Sequence, residues 1–154
     1  MATGKRITIF LLLGVIVLGL AISGCAPEAK EPLHVLDQSY IDGCTYASVT
    51  KSFADSAMHY MQGETIKAFF DTFLTGIELT DDGDRIKQAG NDGSGGGLPF
   101  QICFCREEGN VLVCFYENGA VTVDCEDGKH YASARDNEVN LETVKEWLRE
   151  EEVL

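Results

Sequence analysis

The chain has 154 residues, and 25 Asp and Glu against 12 Lys and Arg give it a formal net charge of −13. That acidity argues against nucleic acid and anionic membrane surfaces as electrostatic partners. The length, with 45% hydrophobic residues, suits one domain around one core. In chain order the first segment is Met1 to Gly24. Lys5 and Arg6 precede a run from Ile7 to Ile22 that is apolar apart from Thr8 and ends in small residues. A charged start, an apolar middle and a small-residue end form the layout of a secretory signal.

At the end of that run, Ile22-Ser23-Gly24-Cys25 resembles the lipobox of bacterial prolipoproteins. The resemblance implies a diacylglyceryl thioether on Cys25 and cleavage of residues 1–24, which leaves Cys25 as a lipidated N-terminus. Two or three acyl chains, at ~0.8 kcal/mol per buried CH₂, hold a protein stably on a bilayer. The competing reading is an uncleaved anchor, for which the apolar run is short. Cleavage would remove Lys5 and Arg6 and take the formal charge from −13 to −15. The expected location is the cell membrane, lipid-anchored and facing outside the cytoplasm. Ala26 after the lipidated cysteine resembles the outer-membrane sorting pattern of cells with two membranes.

Residues 25–39 read as a lipidated N-terminus and flexible tether, with Pro27, Pro32, Glu28, Lys30 and Glu31 and no periodicity. Residues 40–154 read as a single α+β domain. Tyr40 to Tyr46, which contains Cys44, is either a short strand or an extended lead-in. From 48 to 61 the spacing of Val49, Phe53, Ala57 and Tyr60 predicts a helix capped by Ser48, with a strand pair as the runner-up. A firmer helix spans 64–74, with Ile66, Phe69, Phe70 and Phe73 on one side. Ile77 to Thr80 suits an edge strand. Residues 81–97 read as a mobile, Gly-rich loop whose carboxylates do not follow the EF-hand spacing and whose glycines lack the ending of a phosphate loop.

Residues 98–134 predict a four-stranded antiparallel meander with tight turns at Glu108-Gly109, Asn118-Gly119 and Asp127-Gly128. A helix over 140–150 closes the chain, with Leu141, Val144 and Leu148 as its stripe and Trp147 beside it. Asn118-Gly119-Ala120-Val121, Asp127-Gly128-Lys129-x-Tyr131 and this closing helix resemble small uncharacterised lipoprotein domains of Gram-positive bacteria. That resemblance implies no activity.

Turn type sets strand register, and register sets faces. Two-residue turns would place Cys103 opposite Cys114, Leu112 opposite Cys125 and Cys125 opposite His130. One face would then carry Cys103, Cys105, Cys114, Cys125 and His130. On the oxidising side of a membrane the first expectation is disulfides. The candidates are Cys103 with Cys114, and Cys44 with Cys125 or Cys105. A thiol site would use Cys125 with His130, and Cys105 nearby. A metal reading would take the same cysteines, but their spacing lacks the close pairs of zinc sites, so no metal and no cofactor is assigned. His34, His59 and His130 are the only histidines, and neither H-E-x-x-H nor G-x-S-x-G occurs. The sequence therefore favours a membrane-anchored, non-catalytic binding or regulatory module, with a bilayer held through Cys25 and a protein as partners. The alternatives are a thiol-active extracytoplasmic protein and a structural envelope component.

Overall fold

The computed structural model describes residues 34–50, 58–91 and 99–154, which belong to a compact unit spanning Pro32–Leu154. The expected signal segment and Cys25 lie outside the described residues, as do Phe53, Ala57 and the Gly-rich stretch 92–98. The class is α+β. Eight strands make one antiparallel sheet: β1 (His34–Val35), β2 (Cys44–Thr50), β3 (His59–Gln62), β4 (Glu78–Thr80), β5 (Phe100–Arg106), β6 (Val111–Phe115), β7 (Val121–Cys125) and β8 (His130–Ser133). Their order across the sheet is β1-β4-β8-β7-β6-β5-β2-β3. The helices are α1 (Glu64–Phe73), α2 (Gly83–Gly90) and α3 (Leu141–Glu150), with a 3-10 turn at Gln38–Ile41.

The main core lies between one face of the sheet and the paired helices α1 and α3. Helix α1 buries Ile66, Phe69 and Phe70, and α3 buries Leu141, Val144 and Leu148. Both stripes follow the period of 3.6 that the sequence displays. The Asn140 side chain accepts from the Glu142 and Thr143 amides and so satisfies two donors at the start of α3. Phe69 is the hub. Its ring stands 5.1 Å from Phe73, 5.5 Å from Trp147, 6.2 Å from Phe115 and 6.5 Å from Phe104. A smaller cluster occupies the opposite face, where Ile86 and Ala89 of α2 pack with Tyr116, Ala120 and Ala132.

Several expectations are corrected. The described parts of 48–61 are not helical. Residues 44–50 and 59–62 are strands that pair with each other, the runner-up reading. Ala47, Val49 and Met61 point into the core, while Tyr46, Ser48 and Tyr60 point out. This alternation with period 2 outweighs the helical spacing of the larger side chains. Part of the expected loop 81–97 is helix α2. Asp82 caps it by accepting from the Asp84 and Arg85 amides, Asp84 stands in its first turn and Lys87 in its last. Within the expected tether, Leu36 is fully buried, donates its amide to the Ile77 carbonyl at 2.9 Å and accepts from the Gly76 amide at 2.9 Å. Strand β4 lies inside the sheet, covered at its outer side by β1.

The four strands of the meander are neighbours in the larger sheet, but their pairing differs from the expectation. In the first hairpin Cys103 faces Leu112 and Gln101 faces Cys114, so the centre moves to Glu107-Glu108 and the faces are kept. In the second and third hairpins the shift is a single residue. Tyr116 and Ala120 close one loop and Cys125 and Lys129 close the next. Gly119 and Gly128 take φ +82°, whereas Asn118 and Asp127 do not take positive φ. Their side chains instead accept from the Ala120 and Lys129 amides two residues on. The result is a three-residue loop of the type I turn plus glycine-bulge kind rather than a two-residue I′ turn. The extra residue in the second loop turns β7 over, and the extra residue in the third loop returns β8 to its expected faces. Val121, Val123, Cys125, Tyr131 and Ser133 therefore face the main core, and Thr122, Asp124, His130 and Ala132 face the other way.

Candidate functional site

Strand β5 is paired on both sides, to β2 and β6. Phe104 points into the core, which sends Cys103 and Cys105 to the outer face. Their sulfurs stand 4.0 Å apart, and the Cys105 thiol also donates to the Cys103 carbonyl at 3.7 Å. On β2, Ser48 is the neighbour of Cys103 and Tyr46 the neighbour of Cys105. Hydrogen bonding to the Cys105 thiol is the first cause that pushes the Tyr46 phenol above its ordinary range. Tyr46 meets Tyr60 of β3 edge-on, with ring centroids 5.9 Å apart. The Tyr60 hydroxyl donates to the Met58 sulfur at 3.2 Å. Met58 is 67% exposed, Tyr60 49% and Tyr46 40%. Helix α2 packs against β7 and β8 on this face, so the tyrosine pair and the two thiols lie beyond its cover.

Burial holds the Cys103, Cys114 and Cys44 thiols protonated at neutral pH. Burial, and then the neighbouring Cys105, push the Cys103 thiol up to about 11. Cys114 shares the outer face but is only 4% exposed between Gln101 and Thr122, and burial pushes it up to about 11. Cys44 donates to the Tyr46 carbonyl at 3.2 Å, and burial raises its thiol as well. None of these thiols is a ready nucleophile.

The expected union of Cys125, His130 and Cys105 does not form. The one-residue shift leaves Cys125 on the core side of the sheet, with its thiol raised by burial. There it borders a cleft of about 300 Å³ with Tyr40, Arg106, Lys129 and Tyr131. Arg106 spends its donors on backbone, Nε to the Gly109 carbonyl at 2.9 Å and Nη1 to the Ser39 carbonyl at 3.4 Å. Lys129 is paired with Asp127 at 2.6 Å. His130 faces Asp124 across β7 and β8, Nδ1 to Oδ1 2.7 Å, in the open. Cys105 lies on His130's face with β6 and β7 between their strands. Cys103 and Cys114 are not direct opposites, and the five described cysteines all carry free thiols. Among the described residues no three His, Cys, Asp or Glu side chains are arranged to hold a metal.

The sequence allows Tyr46 and Tyr60 as ligand-binding side chains but favours them as core; in the fold both are exposed and form a platform with Met58. Its signal was the outward set Tyr46, Ser48 and Thr50, hidden by the helical spacing chosen for that stretch. Among the described residues no helix is long and apolar enough to cross a membrane. No protein-family model, no curated protein and no solved structure matches the chain.

Proposed function

We propose that the chain is an exported lipoprotein, held on a bilayer through Cys25, and that its folded domain is a non-catalytic binding module for a protein partner. The observation that carries the binding reading is the outer face of β2 and β3. Two tyrosines in edge-on contact and Met58 stand exposed there at an edge strand. Tyrosine supplies large contact area at low entropic cost, and an edge strand offers unpaired backbone groups. The lipobox residues Ile22-Ser23-Gly24-Cys25 support the anchor.

Two experiments test the two halves. Cys25→Ala should abolish labelling by radioactive palmitate and release the chain from membranes. Unchanged membrane association of an unprocessed variant would mean a plain hydrophobic anchor. For the face, a photo-crosslinking amino acid at Tyr60 of the membrane-bound protein should give a discrete higher-mass adduct in cells, and the same group at Glu146 on α3 should not. Adducts from both positions, or from neither, would remove the platform as the contact surface. The thiol-active alternative draws on the 4.0 Å approach of Cys103 and Cys105. It predicts prompt reaction with an aromatic disulfide reagent at pH 7, whereas thiols raised by burial should react more slowly than free cysteine.

A further inference from the structure

We infer that Cys103 and Cys105 form a two-thiolate site for a soft monovalent cation of the Cu(I) class. This goes beyond the binding-module reading and depends neither on the anchor nor on what docks on the tyrosines. Cysteines two apart on a strand share one face, but fully extended neighbours of that kind stand roughly 6.6 Å apart along the strand. Here the side chains lean together until the sulfurs are 4.0 Å apart. Thiolate–metal bonds of ~2.3 Å across that gap open about 120° at the ion, between tetrahedral and linear.

The coordination number selects the ion. A structural zinc site needs four ligands. Among the described residues the pair has no third His, Cys, Asp or Glu arranged to complete such a set. Soft thiolates with few ligands favour Cu(I). The site is also held in place. Strand β5 is fixed by ladders on both sides, and Tyr46 is the β2 neighbour of Cys105. Loading is balanced as two thiols plus Cu(I) giving a bis-thiolate complex of charge −1 and two released protons. Neither the sulfurs nor the copper changes oxidation state.

The full chain, reduced and kept free of oxygen, is titrated against Cu(I) held by bicinchoninate, with the chelator's colour as the readout. One equivalent per chain should be withdrawn. Cys103→Ser and Cys105→Ser should each weaken this at least 100-fold, and Cys44→Ser and Cys125→Ser should leave it unchanged, with circular dichroism reporting the fold. No withdrawal, or withdrawal that survives the Cys103→Ser/Cys105→Ser double variant, overturns the site. A wild-type measurement covers the case in which a variant fails to fold. One equivalent of Cu(I) should protect Cys103 and Cys105 from N-ethylmaleimide, as read by peptide mass, while Cys44 and Cys125 are still labelled. Labelling of Cys103 and Cys105 undiminished by the metal overturns the proposal as well.

Discussion

Gly119 and Gly128 both sit at φ +82°, where an L side chain is strained, but their surroundings differ. A Cβ on Gly119 would stand 3.0 Å from the Glu138 Cβ, whereas one on Gly128 would meet nothing within 4 Å. Gly128→Ala should therefore cost the strain alone, about 1 kcal/mol, and Gly119→Ala more, about 2 kcal/mol. Urea midpoints compare the two, and equal losses would mean that Glu138 moves aside freely. Cys114 supplies a pH dependence. Its thiol is pushed up to about 11 by burial, against roughly 8.5 for an unfolded cysteine. Between those values the unfolded chain holds fewer protons than the native one. The stability tied to the neutral thiol is thus whole below about pH 8 and is lost as pH rises toward 11. At pH 10 the loss is on the order of 1–2 kcal/mol. Cys114→Ala should flatten the fall in stability between pH 7.5 and pH 10 by about that amount, whatever it does to stability at neutral pH. Parallel curves for the two proteins would show that the thiol titrates normally in the fold.

The elements that the sequence displays most openly are those that bury one stripe. Helices α1 and α3 each place their buried residues at helical spacing, and Asn140 marks the start of α3. Phe69 joins both helices to the sheet, so Phe69→Ala should cost about 3–5 kcal/mol, the range of a large cavity in a well-packed core. Tyr60→Ala, at an exposed position, should cost no more than about 1 kcal/mol, and thermal melts separate the two. Other elements were hidden for physical reasons. Asn-Gly and Asp-Gly suit a I′ turn, and they equally suit a type I turn closed by a glycine bulge. Nothing local to Asn118-Gly119 decides between them. Residues 83–90 carry two apolar side chains one turn apart, Ile86 and Ala89, with glycine at each end. The cap at Asp82 was the readable sign. The thiol pair on β5 was legible from period 2 alone, because it needs no partner strand. The meeting of Cys125 with His130 rested on the register of the β7–β8 hairpin, and a single extra loop residue undid it. The tyrosine platform depends on pairing β2 with β3, which Val49 and Tyr60, spaced as on a helix, concealed.

At the scale of the whole molecule the dominant unbalanced quantity is charge. The chain carries 25 acidic and 12 basic side chains, and its formal charge of −13 is set by composition alone. The ion pairs among the described residues do little to offset it. Lys87–Asp84 and Lys145–Glu142 are pairs three apart on helix surfaces, and Lys129–Asp127 sits in the β7–β8 hairpin. Exposed pairs of this kind contribute at most about 1 kcal/mol each, and helical ones less. Added salt weakens both terms. It screens the attraction inside each pair and the repulsion among the surplus carboxylates. The first involves few contacts at short range, and the second involves the net charge over the whole surface, so screening the repulsion should win. Raising NaCl from about 20 to about 300 mM should therefore raise the melting temperature, by roughly 2–4 °C for a gain near 1 kcal/mol. The same change with potassium sulfate should act further through exclusion from the surface, so chloride is the cleaner probe of screening. A melting temperature that falls with NaCl would mean that specific ion pairs hold more of the stability than their exposure allows. Charge-swapping Lys129 and Asp127 together would then locate them.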